Sequence, residues 1–129
     1  MMKRKILFAG IAASLIAAPA FAHHSFAMFD ASKTVTLNGT VKSFEWTNPH
    51  MWLTVMVPQA SGQPIEYPLE MQGIAGAVKL GWKRDTARPG DKITVNIHPL
   101  RDGTHGGQLL SVVLGSGQKL GVMGQAPTQ

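Results

Sequence analysis

The sequence predicts a mainly β fold, a small five-stranded OB-like barrel with one short helix between strands 3 and 4. Two observations carry this expectation. Apolar and polar residues alternate with a period of two through five separate segments. Between the third and the fourth the period becomes helical for about two turns. Three strands, one helix and two strands is the element order of the five-stranded OB barrel, whose first strand is long and bends at a glycine or bulge. A six-stranded sandwich is the rival arrangement. No internal repeat or second domain is visible.

The first 22 residues read as a secretory signal. Lys3, Arg4 and Lys5 form a basic start, Ile6 to Ala18 an apolar stretch, and "APAFA" ends in an Ala-x-Ala pattern with Ala20 and Ala22 at its small positions. The apolar stretch is shorter than the roughly 20 residues of a spanning helix, so cleavage after Ala22 with no lasting membrane anchor is expected. The domain expectation is a signal peptide over 1–22, the barrel over 23–114 and a flexible C-terminal tail over 115–129.

"TVTLNGTVKSFEW" alternates as the first strand, with Val35, Leu37 and Val41 on one parity. Gly39 interrupts the apolar set, and Phe44 and Trp46 then fall on the other parity, which predicts a bulge or sharp bend. "TNP" breaks the chain. "HMWLTVMVP" alternates again, with Met51, Leu53, Val55 and Val57 opposite His50, Trp52, Thr54 and Met56. "QASGQP" has the composition of a hairpin turn. "IEYPLEM" is the third strand, and Pro68, which cannot donate to a ladder, places it at an edge. "GIAGAVKLGW" carries the helical period. "KITVNIHPL" and "QLLSVVLG" are the last two strands, joined by the glycine-rich turn "RDGTHGG".

Charge and composition exclude several function classes. The whole chain is +5, but three of those charges belong to the signal. The remainder has nine Lys and Arg against seven Asp and Glu, and no basic run with interleaved aromatics, so nucleic acid is not an expected partner. The chain has no cysteine, which excludes thiol catalysis, thiolate metal sites and disulfides. No nucleophile elbow, G-x-x-x-x-G-K or G-x-G-x-x-G occurs. Glu45, Glu66 and Glu70 lie on or at the ends of strands, where solvent-facing acids are ordinary. No catalytic residue is assigned.

The histidines are more informative. His50 opens a strand after Pro49, and His98 closes one before Pro99, so each stands at a proline-pinned strand end. His105, in the glycine-rich turn, reads as solvated. Cleavage after Ala22 makes His23 the amino terminus. Its α-amine, titrating near 7.7, then loses its proton to a metal at neutral pH and chelates together with its own imidazole. One further imidazole completes a three-nitrogen histidine brace, a donor set suited to Cu(II). Cleavage after Ala20 instead starts the chain Phe-Ala-His-His, whose third-position histidine is an amino-terminal copper/nickel motif.

Met28, Met51, Met56 and Met71, with the rings of Trp46, Trp52 and Trp82, offer soft and π-rich partners for Cu(I). Methionines at alternating strand positions are more often core filler.

The stretches "AHHSFAMFD", "GTVKSFEWTNPH" and "HPLRDGTHGG" together resemble a family of small exported bacterial proteins classed as a domain of unknown function. The resemblance runs from about residue 22 to 114 and implies an exported, β-rich single domain. It implies that His23, His24, His50 and His98 are the motif histidines, and supplies no activity.

The functional expectation is therefore a periplasmic, non-enzymatic metal-binding protein, with copper as the ion. His23, His24, His50 and His98 are the candidate ligands, and Asp30 and Asp102 the acceptors that orient imidazoles. The alternative is an OB-type module that binds a small ligand or a periplasmic protein partner without metal, through Trp46, Trp52, Arg101 and the "RDGTHGG" turn. Copper-dependent oxidation of a polysaccharide shares the brace logic, but about 107 residues leave little area for a flat carbohydrate face.

Overall fold

A computed structural model describes residues 26–122. The expected signal segment with its cleavage point, His23, His24 and the chain beyond Val122 lie outside the described residues.

Three strands come first: β1 (Val35–Glu45), β2 (Trp52–Val57) and β3 (Ile65–Glu70). A short helix α1 (Ile74–Lys79) follows, then β4 (Lys92–Pro99), β5 (Gly107–Leu114) and β6 (Lys119–Gly121). A single 3-10 turn, Phe26–Met28, precedes them. The sheet order is β3-β2-β1-β4-β5-β6, and a parallel pairing of β3 with β5 closes the first five strands into a barrel. This is the expected barrel, with α1 between the third and fourth strands.

Alternation decides the inside. Leu53, Val55, Leu69, Ile97, Leu109 and Val112 are each at most 1% exposed and fill the barrel. Met51 and Met71 join them at 0% and 3%, so these two methionines are core and not surface ligands. The shift of parity in the first strand is a bulge between Val41 and Ser43 against β2. Gly39 serves a different need: a Cβ there would overlap the Met56 carbonyl oxygen of β2. β3 pairs with β2 along its length but with β5 only at Leu69 and Glu70, so Pro68 occupies an open edge that needs no donor.

The segment expected as a tail from residue 115 begins instead as structure. β6 pairs with β5 through Ser111, Val112 and Val113, and Leu120 and Val122 are buried. The Trp82 indole donates to the Gly121 carbonyl at 2.9 Å, which fixes β6 over the helix end of the barrel. Three residues between a turn and a glycine are too short to show a period, so the sequence did not mark this strand. Among the described residues no helix is long and apolar enough to cross a membrane.

Candidate functional site

The break "WTNPH" is built to present a histidine. Thr47 Oγ1 donates to the His50 carbonyl at 2.8 Å, closing the turn around the cis Asn48–Pro49 peptide. The Asn48 side-chain oxygen accepts from the Ile74 amide at 3.0 Å, tying the turn to the start of α1. Gly73 permits this approach, since a Cβ there would lie 2.8 Å from the Pro49 carbonyl oxygen. Beyond the turn, Met51 exchanges backbone hydrogen bonds with Gln72 and Met71. Strand pairing thus runs one residue past the end of β2, with Met71 and Gln72 both bonded to Met51.

The register places a row of side chains on the outer face of the barrel: Trp52 pairs with Glu70, Glu70 with Gln108, and Gln108 with His98. Their chain neighbours Leu53, Leu69 and Ile97 point into the core, so the row points out. Glu70 and His98 are nonetheless only 7% and 9% exposed. Glu70 is therefore not the solvent-facing acid expected for a strand end. Its carboxylate accepts from His50 Nδ1. The sequence offered no means to pair these two, which lie 20 residues apart.

What covers the row is the segment before β1. Phe29 bridges Leu100, and the Asp30 amide donates to the Pro99 carbonyl at 2.8 Å. Arg101 holds the same strap: its backbone amide donates to the Met28 carbonyl at 3.0 Å and its Nε to the Ala27 carbonyl at 2.9 Å. The Lys33 carbonyl accepts from His98 Nδ1 at 2.8 Å. A carbonyl can only accept, so Nδ1 carries the proton and the lone pair of the neutral ring lies on Nε2. His50 Nδ1 likewise faces an oxygen acceptor, the Glu70 carboxylate. An oxygen acceptor on one ring nitrogen is the usual support of a metal-ligating histidine.

Asp30 and Asp102, expected to orient imidazoles, are engaged elsewhere. Asp30 accepts from the Ser32 hydroxyl at 2.6 Å and pairs with Lys33 at 3.2 Å and Arg101 at 3.8 Å. The Ser32 hydroxyl first, and Lys33 after it, hold its carboxyl down at about 2. Asp102 accepts from the amide and hydroxyl of Thr104 at 2.9 and 2.7 Å, and those bonds hold its carboxyl below the ordinary aspartate value. Both acids stabilise turns. Trp46 is half-buried and packs edge-on against Phe44 at 5.9 Å, Trp52 is half-buried, and Arg101 contacts the strap while its side chain stays 57% accessible. His105 lies against Tyr67, 5.1 Å between rings.

A pocket of about 190 Å³ opens beside the row, with Phe29, His50, Glu70, Gln72 and Gln108 among its walls. The Gln72 amide nitrogen and oxygen are both shielded from solvent and have no hydrogen-bond partner among the described residues. A more open depression of about 410 Å³ lies by Asn38, Thr94 and Leu114, and Lys92 is the one charged residue lining it. The chemistry is therefore concentrated at the first.

His50 and His98 share the outer face but stand three strand steps apart. At roughly 4.8 Å per step, the path along the sheet from β2 to β4 through β3 and β5 is about 14 Å. No group of three histidine or acidic side chains suited to a metal ion occurs among the described residues. His24 lies five residues before Phe29, and five residues span at most about 17 Å. Phe29 is itself a wall of the pocket that holds His50.

A model of the family of unknown function DUF6152 matches residues 12–109, from before the described part to within β5. No curated protein and no solved structure matches the chain.

Proposed function

Because the chain belongs to DUF6152, a family of unknown function, we propose its role from the site alone: an exported periplasmic protein that handles copper. Cleavage after Ala22 gives His23 a free α-amine, and this amine with the His23 imidazole supplies two donors. His50 supplies the third, from a ring oriented by Glu70. His24 and His98 are the candidates for a remaining position. Amine and imidazole nitrogens with no thiolate favour Cu(II) over Zn(II), since copper leads the affinity order of the divalent ions.

One observation carries the reading. The strap that leads back to His23 and His24 is laid on the outer face, and its Phe29 lines the same pocket as His50. The short chain distance from Phe29 back to His24 and His23 supports a shared site with the His50 imidazole.

The test is Cu(II) titration of the protein purified from the periplasm, with N-terminal sequencing to establish the start. The reading expects a His23 start, one ion per chain held tighter than micromolar, and at least about tenfold loss in His23→Ala and in His50→Ala. Weaker binding, or binding indifferent to both substitutions, overturns it. A Phe21 start would replace the brace by the third-position histidine motif.

A further inference from the structure

Uncompensated positive charge gathers at one place on the barrel. Five cations form no ion pair among the described residues: Lys79, Lys83, Arg84, Lys92 and Lys119. Lys79, Lys83 and Arg84 stand exposed on the turn that ends α1, and Asp85 beyond them is taken up by Arg88 at 3.3 Å. The fold brings a fourth. The Trp82 indole donates to the Gly121 carbonyl, and a Cβ at Gly81 would meet Leu120 at 3.4 Å, so β6 lies against this turn with Lys119 at its start.

Apolar surface collects at the same place. Three large apolar side chains are exposed among the described residues, and two of them, Val78 at 54% and Leu80 at 38%, sit among these cations. The turn holds them out. The Ala77 carbonyl accepts from the Leu80 and Trp82 amides at 2.9 and 3.1 Å, and Gly81 takes the left-handed φ of +93° that ends a helix. Trp82 is buried beneath, so a core residue fixes the turn from below. No residue of 78–84 lines either depression described above, which leaves these side chains outside both grooves a peptide could fill. A second copy of the chain would set like charges against each other. Cations around exposed apolar side chains suit a layer that is anionic at its surface and apolar beneath.

We propose that this turn docks the protein on an anionic phospholipid bilayer. Val78 and Leu80 enter the headgroup boundary, and Lys79, Lys83, Arg84 and Lys119 lie against the lipid phosphates, their aliphatic stems covering the apolar pair. The binding is peripheral and reversible, since two side chains and four charges fall far short of a spanning helix. It is independent of the copper reading, because no residue of the turn lines the His50 pocket.

The experiment is cosedimentation of the protein purified from the periplasm, in EDTA, with vesicles of phosphatidylcholine alone or with about one-third phosphatidylglycerol. Partitioning should be at least about tenfold stronger on the anionic vesicles and fall as salt is raised. Lys79→Gln, Lys83→Gln and Arg84→Gln should each weaken it about fivefold, the equivalent of about 1 kcal/mol per cation near such a surface. Val78→Ser combined with Leu80→Ser keeps every charge and should weaken it about tenfold by removing the inserted area. Lys42→Gln, a cation outside the turn, should change it by less than about twofold. Urea unfolding of each variant checks that the fold is kept, and Lys119→Gln, on β6, reaches the same surface from another element should a turn variant unfold. Equal or absent binding to the two vesicle types overturns the proposal, as does undiminished binding by the folded charge variants or by the folded Val78 and Leu80 double variant. Retention on polyglutamate without binding to anionic vesicles assigns the turn to an acidic protein partner and overturns it as well.

Discussion

Leu69 and Glu70 are adjacent in β3, and Ile97 and His98 are adjacent in β4, yet the two members of each pair are buried by different means. Leu69 and Ile97 are covered because five strands close around them. Glu70 and His98 face outward and are covered because residues before β1 fold back over them, anchored at Pro99, Leu100 and Arg101. The inner face is an apolar core that any sequence of the right pattern builds. The outer face carries a row in which the polar Glu70 and His98 are buried. Alternation therefore reports which side a residue takes, and a second layer decides what that side is used for.

Five substitutions break or sharpen this contrast. The largest effect belongs to the inner face. Leu53→Ala leaves a cavity in the closed barrel and should lower the unfolding free energy by about 2–5 kcal/mol in urea titration, with both faces lost in one transition. On the outer face, Phe29→Ala removes the apolar contact of the strap and should lower stability by about 2 kcal/mol. Its signature is local: hydrogen exchange at the Asp30 amide, bonded to Pro99, should accelerate more than exchange in β1. Glu70→Gln keeps the shape and removes the charge. It should reduce stability by about 1 kcal/mol and change the His50 ring resonances while leaving those of His105 in place.

The next effect is a pH dependence. Asp30 titrates at about 2 in the fold against 3.8 as a free side chain. A depressed carboxyl stabilises the fold above the unfolded value, so the strap loses this support as the pH falls from about 3.8 through about 2. Acid unfolding of Asp30→Asn should accordingly be flatter in that window than that of the native chain. The smallest effect is on the exposed Lys42–Glu66 pair, whose side chains are 50% and 52% accessible. Lys42→Ala should shift stability by no more than about 0.5 kcal/mol, which makes it a control for the other four.

The strands, the short helix and the bend of the first strand were legible in the sequence because each depends on local periodicity and turn chemistry. The bulge fell at Val41 to Ser43, two residues past the glycine that drew attention to it. β6 was not legible, since Lys119–Gly121 earns its place only by pairing with β5 and receiving the Trp82 indole. At the site, His50 stood out by its proline and strand end. Glu70, Gln72 and Gln108 did not, because a glutamate at a strand end reads as solvated until a neighbour covers it. In the sequence Asp30 and Asp102 read as acceptors that orient imidazoles. Serine or threonine two residues on was the available sign that each would instead close an Asx turn.

The sequence by itself determined the β class, the order of elements and which residues face the core, since alternation and turn residues act over a few positions. It also determined the stock of donors: histidines, no cysteine, and two histidines beside an Ala-x-Ala pattern. Only the tertiary structure decided that the segment after those histidines lies over β4 and β5. It decided that Glu70 meets His50, and that Glu70 and His98 are buried on the outside of a barrel. Those outcomes depend on contacts between residues far apart in the chain, such as His98 with Lys33 and Arg101 with Ala27. No local pattern encodes such contacts, because their free energy exists only once the barrel has formed the surface on which the strap lies.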